Sequence, residues 1–251
     1  MDILRNEFFH RLLIDSGIKK GIRVLDVGCG AGDLSIMAAE LVGGSGEVTG
    51  VDISQDALAA AKKLIVEKCI SNVRFIQADI AKLPNNIGVF DVIMGRRVLM
   101  YQSNASQTIE GLLPFLSENG KMIFQESERM ADSFNFSMLP LHSKIQNWIW
   151  DTVEKEGGNS HIGMQLYSEM KNAGLKISLL RAEAILHTYE SGSDLGWAAK
   201  MMASRMIEHN VVTAEELNVE TLEYRLMNEL KNSNIPFIRD IAFGICAEKH
   251  K

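Results

Sequence analysis

V-L-D-V-G-C-G-A-G-D-L-S, residues 24–35, decides how the rest of the chain is read. An apolar run holds one acid, Asp26, breaks into glycines at 28, 30 and 32, and resumes as a helical pattern at Leu34, Met37, Ala38 and Leu41. That order predicts a strand, a tight turn and a helix, the arrangement that brings backbone close to a nucleotide. An acid inside the strand is costly to bury, so Asp26 is a candidate for binding as well as for structure.

Outward from this turn the pattern alternates. Strands are predicted over 22–27, 47–52, 73–77, 89–94 and 121–126, with helices over 33–42, 55–68 and 106–116. Short turns between strand and helix argue for a parallel sheet covered by helices, with ligands beyond the carboxyl ends of its strands. Upstream, Ile3, Leu4, Phe8, Leu12 and Leu13 give an amphipathic lead-in over 3–14. Downstream of Glu126 the rhythm breaks. An amphipathic helix over 138–156 (Leu141, Ile145, Trp148, Ile149, Val153) stops at Gly157-Gly158, and a helix over 164–173 stops at Gly174. A strand over 175–185 follows, then helices over 195–209 and 214–231 and a last strand over 238–247. Thr213 and Glu216 open the second of those helices at capping-box spacing.

The chain of 251 residues is 46% apolar, enough for one full-sized core with an appendage. The expected organisation is a single domain, with its core in 20–127, 164–186 and 236–249 and helical additions in 1–16, 128–160 and 190–234. A net charge of −6 without a dense basic stripe argues against a nucleic-acid partner. Three scattered cysteines at non-ligand spacing, Cys29, Cys69 and Cys246, fit a reducing compartment, and no metal is expected. The first residues do not read as a leader and no apolar run is long enough for a membrane helix, so the expectation is a cytoplasmic protein off the membrane.

A glycine turn followed by Asp52 also suits a nicotinamide dehydrogenase. Asp33, however, occupies the place of that fingerprint's third small residue, and the fingerprint has no use for Asp26. Tyr167 and Lys171 imitate the short-chain dehydrogenase pair at a spacing common on helices, without the accompanying T-G-x-x-x-G-x-G turn. Further along stand V-D-I-S (51–54), Q-A-D-I (77–80), F-D-V-I-M-G (90–95) and L-S-E-N-G-K-M-I-F (116–124). Together with D-V-G-C-G-A-G these motifs resemble the class I S-adenosylmethionine-dependent methyltransferases, over roughly residues 20–127. The resemblance implies an α/β, Rossmann-like sheet of seven strands, mostly parallel with the last strand antiparallel, flanked by helices and here carrying an inserted helical cap. It implies S-adenosyl-L-methionine as cofactor, with S-adenosyl-L-homocysteine as product, and a small-molecule acceptor.

By the same resemblance, Gly28, Cys29 and Gly30 approach the methionine part of the cofactor and Asp26 meets its ammonium. Asp52 accepts both ribose hydroxyls, a role for which a carboxylate is well shaped. Asp79 accepts from the adenine amine beside the Ile80 backbone, while Ile53 packs on the ring. Arg96, after the fourth strand, lines the cofactor, and its neighbour Arg97 suits a carboxylate on either cofactor or substrate. Each acid also has a bland role, Asp26 bonded to its neighbours and Asp52 capping the next helix.

Methyl transfer requires alignment more than a dedicated catalytic group. For a hydroxyl acceptor a base helps, and His142, Glu126, Glu128, Tyr101 and His161 are candidates, with His142 placed first. Phe134, Phe136, Met138, Leu141, Trp148 and Trp150, with Met201, Met202 and Met206, wall either an apolar acceptor pocket or the core of the cap. The absence of an N-P-P-Y motif after the fourth strand lowers the case for an exocyclic amine or glutamine acceptor. The cap also offers a surface for a second copy of the chain, and a module that binds the cofactor without turnover is a separate reading. About fifty residues, between Ile185 and Ile238, separate the last pair of strands, which the family usually joins in a near-continuous hairpin.

Overall fold

Apolar strands buried almost continuously along their length build the sheet. The computed structural model describes residues 3–130 and 138–249. Its strands are β1 (Arg23–Val27), β2 (Glu47–Asp52), β3 (Val73–Gln77), β4 (Phe90–Arg96), β5 (Leu116–Glu128), β6 (Lys176–His187) and β7 (Phe237–Glu248). They lie in the order β3-β2-β1-β4-β5-β7-β6. The first five are parallel to one another, and β7 runs antiparallel to both β5 and β6.

Leu25, Val27, Ile93, Met122 and Phe124 face one side of the sheet, where α4 (Ala105–Leu112) and α6 (Ile162–Asn172) close the core. Val24, Val48, Val92, Met94 and Ile123 face the other, against α1 (Ile3–Asp15), α2 (Asp33–Val42) and α3 (Gln55–Glu67). Successive residues alternate between these two cores because the side-chain period of a strand is 2. Burial on both faces explains why the strands read as near-continuous apolar runs.

A third cluster belongs to the cap. Leu139 and Ile145 at α5 (Pro140–Lys155) pack with Leu195 and Met206 of α7 (Leu195–Glu208), Leu217 of α8 (Ala214–Leu217) and Leu222, Leu226 and Leu230 of α9 (Val219–Ser233). Three expected boundaries move. The helix over 106–116 ends at Leu112, since Pro114 sits in a separate single turn, Leu113–Phe115; proline has no N–H to continue a helix. β5 starts early, at Leu116, which pairs with Phe90 across an irregularity. The helix over 214–231 is two helices, divided at Asn218, whose φ of 43° breaks the right-handed path.

The fifty-residue interval does not open the hairpin. β6 and β7 remain paired up to His187 and Phe237, so the cap segment leaves the sheet and returns between two directly opposed residues. The Thr213 hydroxyl accepts from Glu216 N at 3.2 Å, as the capping spacing predicts. Phe134 and Phe136 lie outside the described residues.

Candidate active site

The carboxyl ends of β1, β2, β3, β4 and β5 converge with the start of β7, and the charged residues singled out in the sequence gather there. Asp26 is fully enclosed. Its Oδ2 accepts from Ser35 Oγ at 2.6 Å, and its Oδ1 is buried without a partner. Burial pushes this carboxyl up to about 7, against the opposing pull of Ser35 and Arg96. Gly28 turns the chain at φ 67°, and a Cβ there would meet Val98 Cγ2 at 2.5 Å, so position 28 admits no side chain. At Gly30, φ 53°, a Cβ would meet nothing within 4 Å: this backbone faces open space. Cys29 is less available than the sequence suggests. Its N–H donates to Val51 O at 2.9 Å, its side chain is buried, and burial raises its thiol, so it ties the turn to β2.

Asp52 closes β2 with its carboxylate held at both oxygens. Oδ2 accepts from Gly30 N and Oδ1 from Ser54 N, each at 2.8 Å. A carboxylate offers roughly four lone-pair sites, so one on each oxygen remains for a ligand's paired hydroxyls. Beside it Ile53 is 70% exposed, an apolar side chain standing in solvent next to a polar clamp. Asp79 Oδ1 accepts from Ala81 N at 2.9 Å and starts the short turn Ile80–Lys82, which leaves its second oxygen to a ligand. The Ile80 side chain is core, so only its backbone is at hand for a ligand.

At the end of β4, Arg96 Nη1 donates to Asn6 Oδ1 at 2.6 Å. Burial, Arg97 and Arg5 bring its guanidinium down to about 10. Arg97 follows at φ 52°, an uncommon conformation for a residue with a Cβ. Behind them Glu126 is fully buried, with Oε1 accepting from Val98 N at 3.0 Å and Leu99 N at 2.9 Å. Burial pushes Glu126 up to about 7, and its Oε2 has no partner. Two residues on, Glu128 Oε1 holds His161 Nδ1 at 2.7 Å while Oε2 accepts from Met164 N at 2.9 Å. The His161 side chain is 59% exposed, so this is an imidazole oriented by a carboxylate and open on its other edge.

Four further charged residues meet here that the sequence reading did not assign. Arg5 of α1 donates to Asp194 Oδ2 at 2.8 Å and to Asp240 Oδ2 at 2.8 and 3.2 Å. Arg239 Nε donates to Asp194 Oδ1 at 2.8 Å and Arg239 Nη1 to Gln146 Oε1 at 3.2 Å, while Ser127 Oγ donates to Asp240 Oδ2 at 3.0 Å. Against a burial penalty acting the other way, Arg239 and Arg5 hold Asp194 well below the carboxylate range. This network ties α1, β5, β7 and the cap together. One signal did exist: Arg239 and Asp240 interrupt an apolar strand, as Asp26 does.

His142 is in a different place from the one expected of a base. Its ring is fully buried against Phe237 at 4.7 Å, and Nδ1 meets Glu229 Oε2 at 2.7 Å. Glu229 also accepts from the N–H groups of Leu141 and His142, at 2.8 and 2.9 Å. That is a latch closing the start of α5 on α9, enclosed where a base would need access to its proton. The expected apolar wall divides. Met206 and Trp150 are core, whereas Met138 and Met201 are exposed. Tyr167 and Lys171 line a shallow depression with Leu175 and Lys176. Lys176 and Lys121 both pair with Glu248, which sets this depression at the amino end of β5, away from the glycine turn.

The chain is similar to known proteins in sequence and in fold. A methyltransferase domain family matches residues 18–174. The chain belongs to this methyltransferase domain family. The match ends before β6, so the family's own pattern contains neither the segment between β6 and β7 nor Arg239 and Asp240. Among curated relatives, the ubiquinone/menaquinone biosynthesis C-methyltransferase UbiE of Azotobacter vinelandii is 32% identical over 139 residues, 52% of this chain and 55% of that protein. The chain thus spans about half the length of the curated relatives it matches. Among solved structures, YcgJ of Bacillus subtilis superposes with a TM-score of 0.64 at 18% identity, covering 98% of this chain and 99% of that one. The [4+2]-cyclase SpnF superposes at 0.59 and 20% identity, covering 98% and 81%. At such identities the likeness is one of fold.

Proposed function

We propose that this methyltransferase domain binds S-adenosyl-L-methionine at the carboxyl ends of β1–β3 and methylates a small organic acceptor beneath the cap. The observation that carries the reading is the Asp52 clamp: a carboxylate fixed by two backbone N–H groups, beside an open Gly30 and an exposed Ile53. These residues fit the cofactor's chemistry. Asp52 has an acceptor site left on each oxygen for the ribose hydroxyls, Ile53 offers a face for the adenine, and Asp79 has a second oxygen for the exocyclic amine. The orphan Asp26 Oδ1 fits an ammonium donor, and Arg96 fits the carboxylate end.

The cofactor supplies a methyl group on a sulfonium when bound. The chain's role is to orient two reactants and exclude water. Asp52 and the Gly28–Gly30 turn fix one partner, and the cap with α1 covers the other. For an acceptor that loses a proton, His161 takes the role first given to His142, because Glu128 fixes its tautomer through Nδ1 and leaves Nε2 free to accept. The relatives' name supports beginning the acceptor screen with compounds methylated at carbon. The net charge of −6 supports an acceptor other than nucleic acid, and three free cysteines support a reducing, cytoplasmic setting. No helix among the described residues is long and apolar enough to cross a membrane. The exposed Trp197, Met201 and Tyr224 support contact with a second copy through the cap.

Calorimetry with S-adenosylmethionine, S-adenosylhomocysteine and NADH tests the reading. Micromolar binding of the first two and none of NADH is expected, followed by methyl transfer in the acceptor screen. Binding of NADH alone overturns it, and binding without turnover on any acceptor reduces the protein to a cofactor-sensing module.

A further inference from the structure

We propose that Arg97 anchors an oxyanion, a carboxylate or phosphate, carried by the methyl acceptor; this rests on the methyltransferase reading and adds the substrate class to it. Arg97 is exposed. Its guanidinium is nevertheless embedded deeply enough for burial, followed by the charge of Arg5, to lower its pKa. A guanidinium that is solvent-accessible yet packed about by protein is only partly hydrated and gains from an ionic partner.

Among the described residues, neither a hydrogen bond nor an ion pair reaches the Arg97 guanidinium. The acid that attracts it most, Asp240, is already engaged with Arg5 and Ser127, and Asp194 is shared between Arg5 and Arg239. Arg96 donates to the neutral Asn6. Arg5, Arg96, Arg97 and Arg239 thus meet at one sheet edge among the acids Asp194, Asp240 and Glu126, and of these four Arg97 is the one whose donors are unspent among the described residues. A fork of five N–H donors is the group that binds carboxylate or phosphate in two parallel hydrogen bonds.

The backbone aims the choice toward the acceptor. Both guanidinium groups feel Arg5; beyond it Arg96 feels Asp26 and Asp33, beside the glycine turn, whereas Arg97 feels Asp240 and Arg239 at the start of β7, where the cap rejoins the sheet. The positive φ at Arg97 reverses the chain between these neighbours while its N–H still donates to Gln125 O at 2.8 Å. A non-glycine residue in that region is strained and persists only where surrounding structure over-determines it, a condition met most often at ligand sites.

The test uses the full chain, wild type, R97Q and R97K, titrated calorimetrically with inorganic phosphate, benzoate and the neutral isostere benzamide, with and without saturating S-adenosylhomocysteine. Wild type is expected to bind at least one oxyanion and not benzamide. R97Q is expected to weaken that binding roughly tenfold or more and R97K to restore part of it, with S-adenosylhomocysteine affinity within about twofold of wild type. Equal oxyanion binding by wild type and R97Q, or none by wild type, overturns the proposal. So does a loss in R97Q confined to S-adenosylhomocysteine, which assigns Arg97 to the cofactor's own carboxylate. If wild type binds oxyanions through Arg97 but no S-adenosylhomocysteine, the oxyanion site stands and the methyltransferase reading falls.

Discussion

Two ends of one sheet edge handle charge in opposite ways. Around β1 and β2, charge is held locally: Asp52 is fixed by Gly30 and Ser54, and Asp26 by Ser35, all within a short stretch of chain. Around β5 and β7, charge is held across the whole molecule, with Arg5 meeting Asp194 and Asp240 from 189 and 235 residues away. The first arrangement can be built by a single strand–turn–helix unit and leaves acceptor sites over for a ligand. The second exists only when α1, the sheet and the cap have all docked, and it spends most of its donors on itself. A local site prepares for a shared ligand, whereas a long-range network prepares an enclosure.

The contrast breaks most visibly at Asp194. Replacing it by alanine leaves the buried Arg239 guanidinium with only the neutral Gln146 and Arg5 with Asp240 as its acid, and Asp194→Ala is expected to cost roughly 3–5 kcal/mol in urea unfolding. A loss no larger than that of an ordinary surface substitution would mean that the cap is not held by this network. Next in size, Asp52→Ala removes two charge-assisted hydrogen bonds to the ligand and is expected to weaken S-adenosylhomocysteine binding roughly 100-fold in calorimetry, with a loss of about 1–2 kcal/mol in stability because Gly30 N and Ser54 N lose their acceptor. Unchanged affinity would remove the ribose assignment.

The pH dependence of stability sharpens the comparison from the other side. Asp26 and Glu126 are raised to about 7 by burial, whereas in the unfolded chain each titrates near its ordinary value. Between about pH 4 and about pH 7 the folded state holds protons that the unfolded state has released, so these two groups make stability fall as pH rises through that window and level off above it. Asp194 and Asp240 act with the opposite sign. Their folded values are depressed, so their contribution is present above about pH 4 and is lost as pH falls below it. Asp26→Asn is expected to flatten the slope between about pH 4 and about pH 7 in chemical denaturation, and an unaltered slope would show that Asp26 stays ionised. The smallest effect belongs to the cap's own local structure: Thr213→Ala removes one helix cap and is expected to cost about 1 kcal/mol, with cofactor binding untouched.

What the sequence revealed follows the same division. The placing of the glycine turn, Asp26, Asp52 and Asp79 at the carboxyl ends of their strands was legible because a strand, a turn and the start of a helix are contiguous in the chain; their roles toward a cofactor came from the family resemblance alone. Apolar runs buried on both faces made β1 to β4 legible almost to the residue. The network was not legible, because nothing near Arg5 announces Asp240. His142 misled for a related reason: at the head of an inserted helix it resembled an exposed polar residue, and only the return of α9, with Glu229, buries it. The expected gap between the last two strands dissolved because hairpin pairing depends on where the interruption begins and ends, whatever its length.

The point at which the cap leaves the sheet has a practical reach. A segment that departs at His187 and re-enters at Phe237, directly across one ladder rung, behaves as an interchangeable cassette. Its length adds only slowly to the entropy of closing the loop, so residues inserted within it leave the sheet and the glycine turn unchanged. Asp194 and the contacts of α5 fasten the cassette to the rest. A graft that keeps that aspartate opposite Arg5 and Arg239 would carry a new acceptor roof onto an old cofactor floor.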